Sequence, residues 1–179
     1  RNDFGAKVFY GKENEFFSYD KVVIATHADE ALKIIKNPTT DETSILKNFK
    51  YRKNIAVIHF DESIMPKNRK TWCSWNSSMS IENNEKTSVT YWLNQLQNLK
   101  IDKNIFLTIN PFREIPKNQI FKKVTFTHPY YDTKALSNQK NLYKIQNKSN
   151  ILFCGSYFGY GFHEDGIKSS IEMLKSLND

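Results

Sequence analysis

Asn150-Ile151-Leu152-Phe153-Cys154-Gly155-Ser156-Tyr157-Phe158-Gly159-Tyr160-Gly161-Phe162-His163-Glu164-Asp165-Gly166-Ile167 is the stretch on which the reading of the fold turns. Its first five residues predict a buried strand. Beyond Gly166, Ile167, Ile171, Leu174 and Leu177 recur at helical spacing and predict an amphipathic helix with those four on its apolar face. The chain has six glycines, and four of them (Gly155, Gly159, Gly161 and Gly166) lie between strand and helix. Glycine admits positive φ and lets a ligand approach the backbone. A helix start adds unpaired N–H groups and the positive end of the macrodipole, a combination suited to an anion. The competing reading is a tight connection in which glycine makes the turn and Glu164 and Asp165 cap the helix.

Upstream, Lys21-Val22-Val23-Ile24-Ala25-Thr26 is a short apolar run of the kind found in strands buried on both faces. A helix follows at once, with Ala28, Ala31, Leu32 and Ile35 on one side. Strand passing into helix at both ends of the chain predicts an α/β fold. Before that run, Lys7–Tyr10 and Glu15–Ser18 predict strands about a turn at residues 11–14.

The middle, residues 37–149, has α+β character and reads as antiparallel sheet covered by helices. A short helix is expected over Asp41–Phe49, and strands over Asn54–Phe60, Lys70–Ser80 and Ile105–Ile109. Phe121–Thr127 is a further strand that Pro129 should stop. Val89–Leu99 could start as a strand, but Trp92, Leu93, Leu96 and Leu99 favour a helix, and Thr133–Gln146 reads as helix.

Composition narrows the function classes. The formal charge is +7, yet the 26 basic residues are 22 Lys and only 4 Arg, spread along the chain. Arg is the side chain whose fork suits phosphates and base edges, so a nucleic-acid partner is not expected, and a solvated Lys surface explains the charge better. Cys73 and Cys154 lack metal-ligand or CxxC spacing and read as reduced thiols in a cytoplasmic protein. No apolar run approaches the length of a membrane helix, and peripheral membrane contact stays open. The chain opens on Arg1 and enters strand-like sequence almost at once, the expectation for a piece of a longer protein.

Gly155 to Gly166 resembles the C-terminal FAD-binding motif of a family of predicted NAD/FAD-binding proteins in the flavin-containing amine oxidase superfamily, to which the N-terminal region of plant cyclopropane-fatty-acid synthases is similar. Further segments match in the same order: residues 22–32, Trp72-Cys73-Ser74-Trp75-Asn76, residues 89–97, Thr108-Ile109-Asn110-Pro111 and Thr127-His128-Pro129. The resemblance implies an FAD domain assembled from separated pieces, here residues 1–36 and 150–179, with 37–149 as a substrate domain. It implies that Ala25 and Thr26 approach the cofactor and that Gly155 and Ser156 sit at the pyrophosphate. Gly161 and His163 belong to the motif, and Glu164, Asp165, Gly166 and Ile167 would meet the flavin pyrimidine edge. One departure stands out. No GxGxxG opens a strand–turn–helix anywhere in the chain, so the piece that cradles the ADP moiety is not in these residues.

The implied activity is hydride transfer from an amine or a lipid-like small molecule to FAD. Trp72, Trp75, Tyr91 and Trp92 are candidates to line the substrate cavity, although aromatic residues commonly fill ordinary core. His27 reads as a helix cap, His59 as a satisfied core histidine and His128 as structural. No Ser/His/Asp order or zinc spacing supports a hydrolase or a metal site, and no catalytic residue can be named. The alternative is a non-catalytic substrate- or partner-binding module that does not hold flavin by itself.

Overall fold

The computed structural model describes Arg1, residues 4–11, 15–80 and 86–177. The chain divides into two compact units, Arg1–Arg52 with Pro129–Asp179, and Lys53–His128. Both mix strand with helix, and the fold is α/β with an antiparallel sheet in the central unit.

In the first unit, β1 (Ala6–Phe9) and β2 (Phe16–Tyr19) form an antiparallel pair. Residues 12–14 of the expected turn lie outside the described residues. The apolar runs at the two ends of the chain, β3 (Val22–Ile24) and β9 (Ile151–Phe153), pair in parallel, with Ile24 opposite Phe153. β9 is buried on both faces. Ile151 and Phe153 enter a core with Ala28, Ala31, Ile35, Ile45, Leu46, Phe49, Ala135, Leu142 and Ile145. Leu152 and Cys154 face Met173 on the other side. Complete burial of each large apolar side chain contributes about 1.5–3 kcal/mol, so this strand anchors the unit.

Three helices cover the first of these faces. They are α1 (Ala28–Ile34), α2 (Thr40–Leu46) and α4 (Thr133–Gln139). α2 starts with a capping box, in which Thr39 Oγ1 accepts the Glu42 amide and Glu42 accepts the Thr39 amide. Glu42 is buried and ion-paired to Arg1. The helix expected over Thr133–Gln146 stops at Gln139 and resumes as a 3-10 turn over Leu142–Ile145. α2 and α4 share the core of α1 and β9, and the contact boundaries fall after Arg52 and His128.

α5 (His163–Lys175) packs against Leu152 and Cys154 through Met173 and buries Ser169. The face expected from Ile167, Ile171 and Leu174 is instead turned to solvent, and those residues are 57%, 52% and 53% exposed. Of the four predicted apolar positions only Leu177 packs on that core. The reason is Ser169, whose Oγ accepts the Gly155 amide at 2.9 Å and donates to Gly166 O at 2.7 Å. A polar residue that ties the turn to the helix fixes which face lies inward.

The second unit is built on a sheet in the order β5 (Trp75–Met79), β6 (Thr87–Trp92), β7 (Phe106–Ile109), β4 (Lys50–His59) and β8 (Ile120–Tyr130). The pairs β5–β6, β6–β7 and β4–β7 are antiparallel. Three expectations are corrected here. Residues 87–92 are strand, because Thr87, Val89 and Thr90 suit a pleated surface and residues 89–91 pair with both neighbours; the helix α3 is confined to Leu93–Leu96. The strand expected from Lys70 begins only at Trp75, since Arg69–Thr71 forms a 3-10 turn. β8 continues through Pro129, which an edge strand tolerates because no ladder bond needs its missing N–H.

Candidate functional site

Parallel pairing places the carboxyl ends of β3 and β9 side by side, the end at which open α/β sheets bind ligands. Ala25 and Thr26 leave β3 there, and Gly155 and Ser156 leave β9. The Cys154 amide donates to Ile24 O at 3.2 Å, and a Cβ on Gly155 would lie 3.5 Å from Thr26 O. Two segments more than a hundred residues apart in sequence thus meet at one rim, and the start of α5 joins them.

The turn between β9 and α5 is held by its own hydrogen bonds. Gly155 has φ +154°, and a Cβ there would meet the Tyr157 ring at 2.7 Å. Gly161 has φ +94°, and its Cβ would come within 3.0 Å of the Tyr131 hydroxyl. Tyr131 donates to Ser156 O at 3.2 Å, and Gln139 donates to the carbonyls of Tyr157 and Gly159. Burial, with Asp165 nearby, pushes the Tyr131 phenol up to about 12, so it stays a neutral donor at ordinary pH. Neither Tyr131 nor Gln139 was singled out from sequence, because nothing local marks a side chain that reaches a turn some 20 residues away.

Asp165 accepts the amides of Tyr160 and Phe162 at 2.9 and 3.0 Å. Asp165 thus takes the capping role expected of Glu164 and Asp165 if glycine merely makes the turn. Glu164 points elsewhere and approaches Lys168 at 3.7 Å on the exposed face. The amides of Ser156, Tyr157, His163 and Glu164 have no acceptor among the described residues. A Cβ on Gly166 would find only Ser156 N, at 3.9 Å, so glycine keeps open a gap between the first turn of α5 and residue 156. An unpaired set of amides beside a gap that a side chain would narrow fits the pyrophosphate or the electron-rich edge of a flavin. Among the described residues no group of three or more His, Cys, Asp or Glu could hold a metal ion.

His27 does not cap α1 with its side chain. Its ring stacks on Tyr51 at 4.2 Å, and Tyr51, whose hydroxyl accepts the Ala28 amide at 2.8 Å, caps the helix in its place. Burial raises the Tyr51 phenol to about 12. His163 is exposed at the helix start and Ile167 is exposed one turn on. Tyr157 belongs to the core, with its ring 5.3 Å from Phe49 and its hydroxyl buried without a partner among the described residues.

The four aromatic residues of the second unit form two pairs rather than one wall. Trp75 and Tyr91 lie opposite each other and meet edge-on at 5.1 Å. Trp72 meets Trp92 at 5.4 Å and Phe106 at 5.7 Å. Tyr91 and Trp92 are consecutive in β6, so alternation sends them to opposite faces. His59 is buried, as its apolar surroundings in the sequence suggested, with Nε2 2.7 Å from Thr108 Oγ1. His128 Nδ1 lies 2.8 Å from Asn54 Nδ2.

No family profile and no curated protein sequence matches this chain. Solved structures do share its fold. The CLA-producing fatty acid isomerase from P. acnes superposes with a TM-score of 0.58 and 12% identity, over 92% of this chain and 43% of that one. A protein assigned as a protoporphyrinogen oxidase, from Exiguobacterium sp. 255-15, superposes with a TM-score of 0.58 and 11% identity, over 99% of this chain and 44% of that one. The chain spans less than half the length of either. What is shared at these identities is the fold, and it covers both units.

Proposed function

We propose that this chain supplies the C-terminal part of an FAD-dependent oxidoreductase of the amine-oxidase-like class. The observation that carries the reading is the meeting of residues 25–26, residues 155–156 and the start of α5 at the carboxyl ends of two parallel strands, with four backbone amides that have no acceptor among the described residues. The flavin-facing part is residues 1–36 with 150–179. The five-stranded sheet, within 37–149, is the substrate-binding part.

Ser156 and Tyr157 would hold the pyrophosphate through their amides, and Gly155 lets the backbone come close. His163 and Glu164 would present theirs, with the helix dipole behind them, to the flavin edge that gains negative charge on reduction. FAD, when bound, supplies the chemistry by accepting hydride from the substrate. Asp165 takes no part in that contact, since its carboxylate is committed to the turn and holds the amides of the next turn in place. The substrate is an amine or a lipid-like molecule. The sequence resemblance to the N-terminal region of cyclopropane-fatty-acid synthases and the fold shared with a fatty acid isomerase both favour lipid.

Titration of FAD with this chain tests the reading. Saturable quenching of flavin fluorescence is expected, and unchanged fluorescence at high protein concentration would contradict it. The second reading, a substrate- or partner-binding module without flavin, draws on the absence of GxGxxG from the chain and would then hold.

A further inference from the structure

The central unit contains a cavity of about 250 Å³, separate from the rim of β3 and β9. The buried polar groups on its wall form a chain of hydrogen bonds that starts at His59. The Asp61 amide donates to His59 Nδ1 at 3.2 Å. A backbone N–H can only donate, so Nδ1 accepts and the ring proton sits on Nε2. Burial favours this neutral ring. Nε2 therefore donates to Thr108 Oγ1 at 2.7 Å, and the Thr108 and Thr90 hydroxyls, 2.9 Å apart, share one hydrogen bond. Both threonines are buried and line the cavity, and the bond between them uses one of their two hydroxyl hydrogens, so the other has no acceptor among the described residues. A buried donor thus stands behind a pair of hydroxyls with one hydrogen that needs an acceptor.

The rest of the wall agrees in sign. Lys67 and Arg113 line the cavity, and among the described residues neither is ion-paired and no carboxylate lines it. Ser88 is already committed, donating to Ile109 O at 3.0 Å. Met65 and Phe112 give the cavity an apolar side. We infer that this cavity binds a small carboxylic acid, its carboxylate held by Arg113, Lys67 and the Thr90–Thr108 hydroxyl pair and its short apolar body against Met65 and Phe112. The site lies within one unit and does not depend on whether flavin binds to the other.

Amide NMR of the 15N-labelled chain titrated with sodium hexanoate tests this, with 1-hexanol as the neutral probe. Saturable shifts are expected at Thr90, Thr108 and Arg113, with hexanol binding at least about tenfold more weakly. Thr90→Val should weaken hexanoate binding. Should that variant misfold, the exposed double variant Lys67→Gln/Arg113→Gln reads the same contact and should lose about tenfold in affinity. Absence of saturable shifts, equal binding of hexanol, or unchanged affinity in the double variant would overturn the inference.

Discussion

The carboxylate of Asp165 reaches back across the start of α5 to accept the amide of Phe162 at 3.0 Å, and the same oxygen takes the amide of Tyr160 at 2.9 Å. A Cβ on Gly159 would land on that carboxyl group, so the two residues are matched in space. The turn is thereby closed by the protein itself, and the amides of residues 156–157 and 163–164 have no acceptor among the described residues.

Asp165→Ala removes two hydrogen bonds to a charged acceptor at a helix start. It should destabilise the chain by about 1–2 kcal/mol, read as a lower urea midpoint. Gly159→Ala, which displaces the same carboxyl group, should destabilise in the same direction.

Two glycines of the turn should respond in opposite ways. Gly155→Ala places a side chain at φ +154° against the Tyr157 ring and should cost about 1–3 kcal/mol. Gly166→Ala meets no close atom and sits in a helix, so it should be neutral or stabilising by up to about 1 kcal/mol. It also narrows the gap beside Ser156, so FAD affinity should fall although thermal stability does not. A parallel loss of both would count against the gap as a ligand site.

The inward face of α5 separates two further substitutions. Met173→Ala, at 6% exposure, should cost about 2–5 kcal/mol. Ile171→Lys, on the 52% exposed face, should stay within about 0.5 kcal/mol of the parent. The reverse order of melting temperatures would restore the face that hydrophobic periodicity alone selects.

That contrast marks where the sequence is legible. Strand, turn and helix at residues 150–167 were readable because apolar runs and clustered glycines are local signals. The inward face of α5 was not readable, since Ser169 is drawn inside by the Gly155 amide, a contact that competes with hydrophobicity. Tyr51 as the cap of α1, and Tyr131 and Gln139 as braces of the turn, act across the chain and leave no local trace. β6 was read towards helix because Trp92, Leu93 and Leu96 mimic helical spacing where a strand passes directly into one helical turn.

His59 gives the chain a pH dependence of known sign. Burial lowers its pKa below that of the unfolded chain, so the unfolded state takes up the proton more readily. The stability it confers is complete above about pH 6.5 and is lost as pH falls towards the folded value. The urea midpoint should therefore drop between pH 7.5 and 5.5. His59→Gln, less stable at pH 7.5, should show a flatter dependence, and an equal slope in both proteins would assign the effect to other groups.

The most direct test of flavin contact is amide NMR of the 15N-labelled chain during titration with FAD. Saturable shifts confined to Thr26, Ser156, Tyr157, His163 and Glu164 are predicted, and Asp165→Ala should alter their pattern. Saturating FAD that leaves these five amides unmoved, or that shifts only residues of the central sheet, would contradict the assignment of this rim to the cofactor.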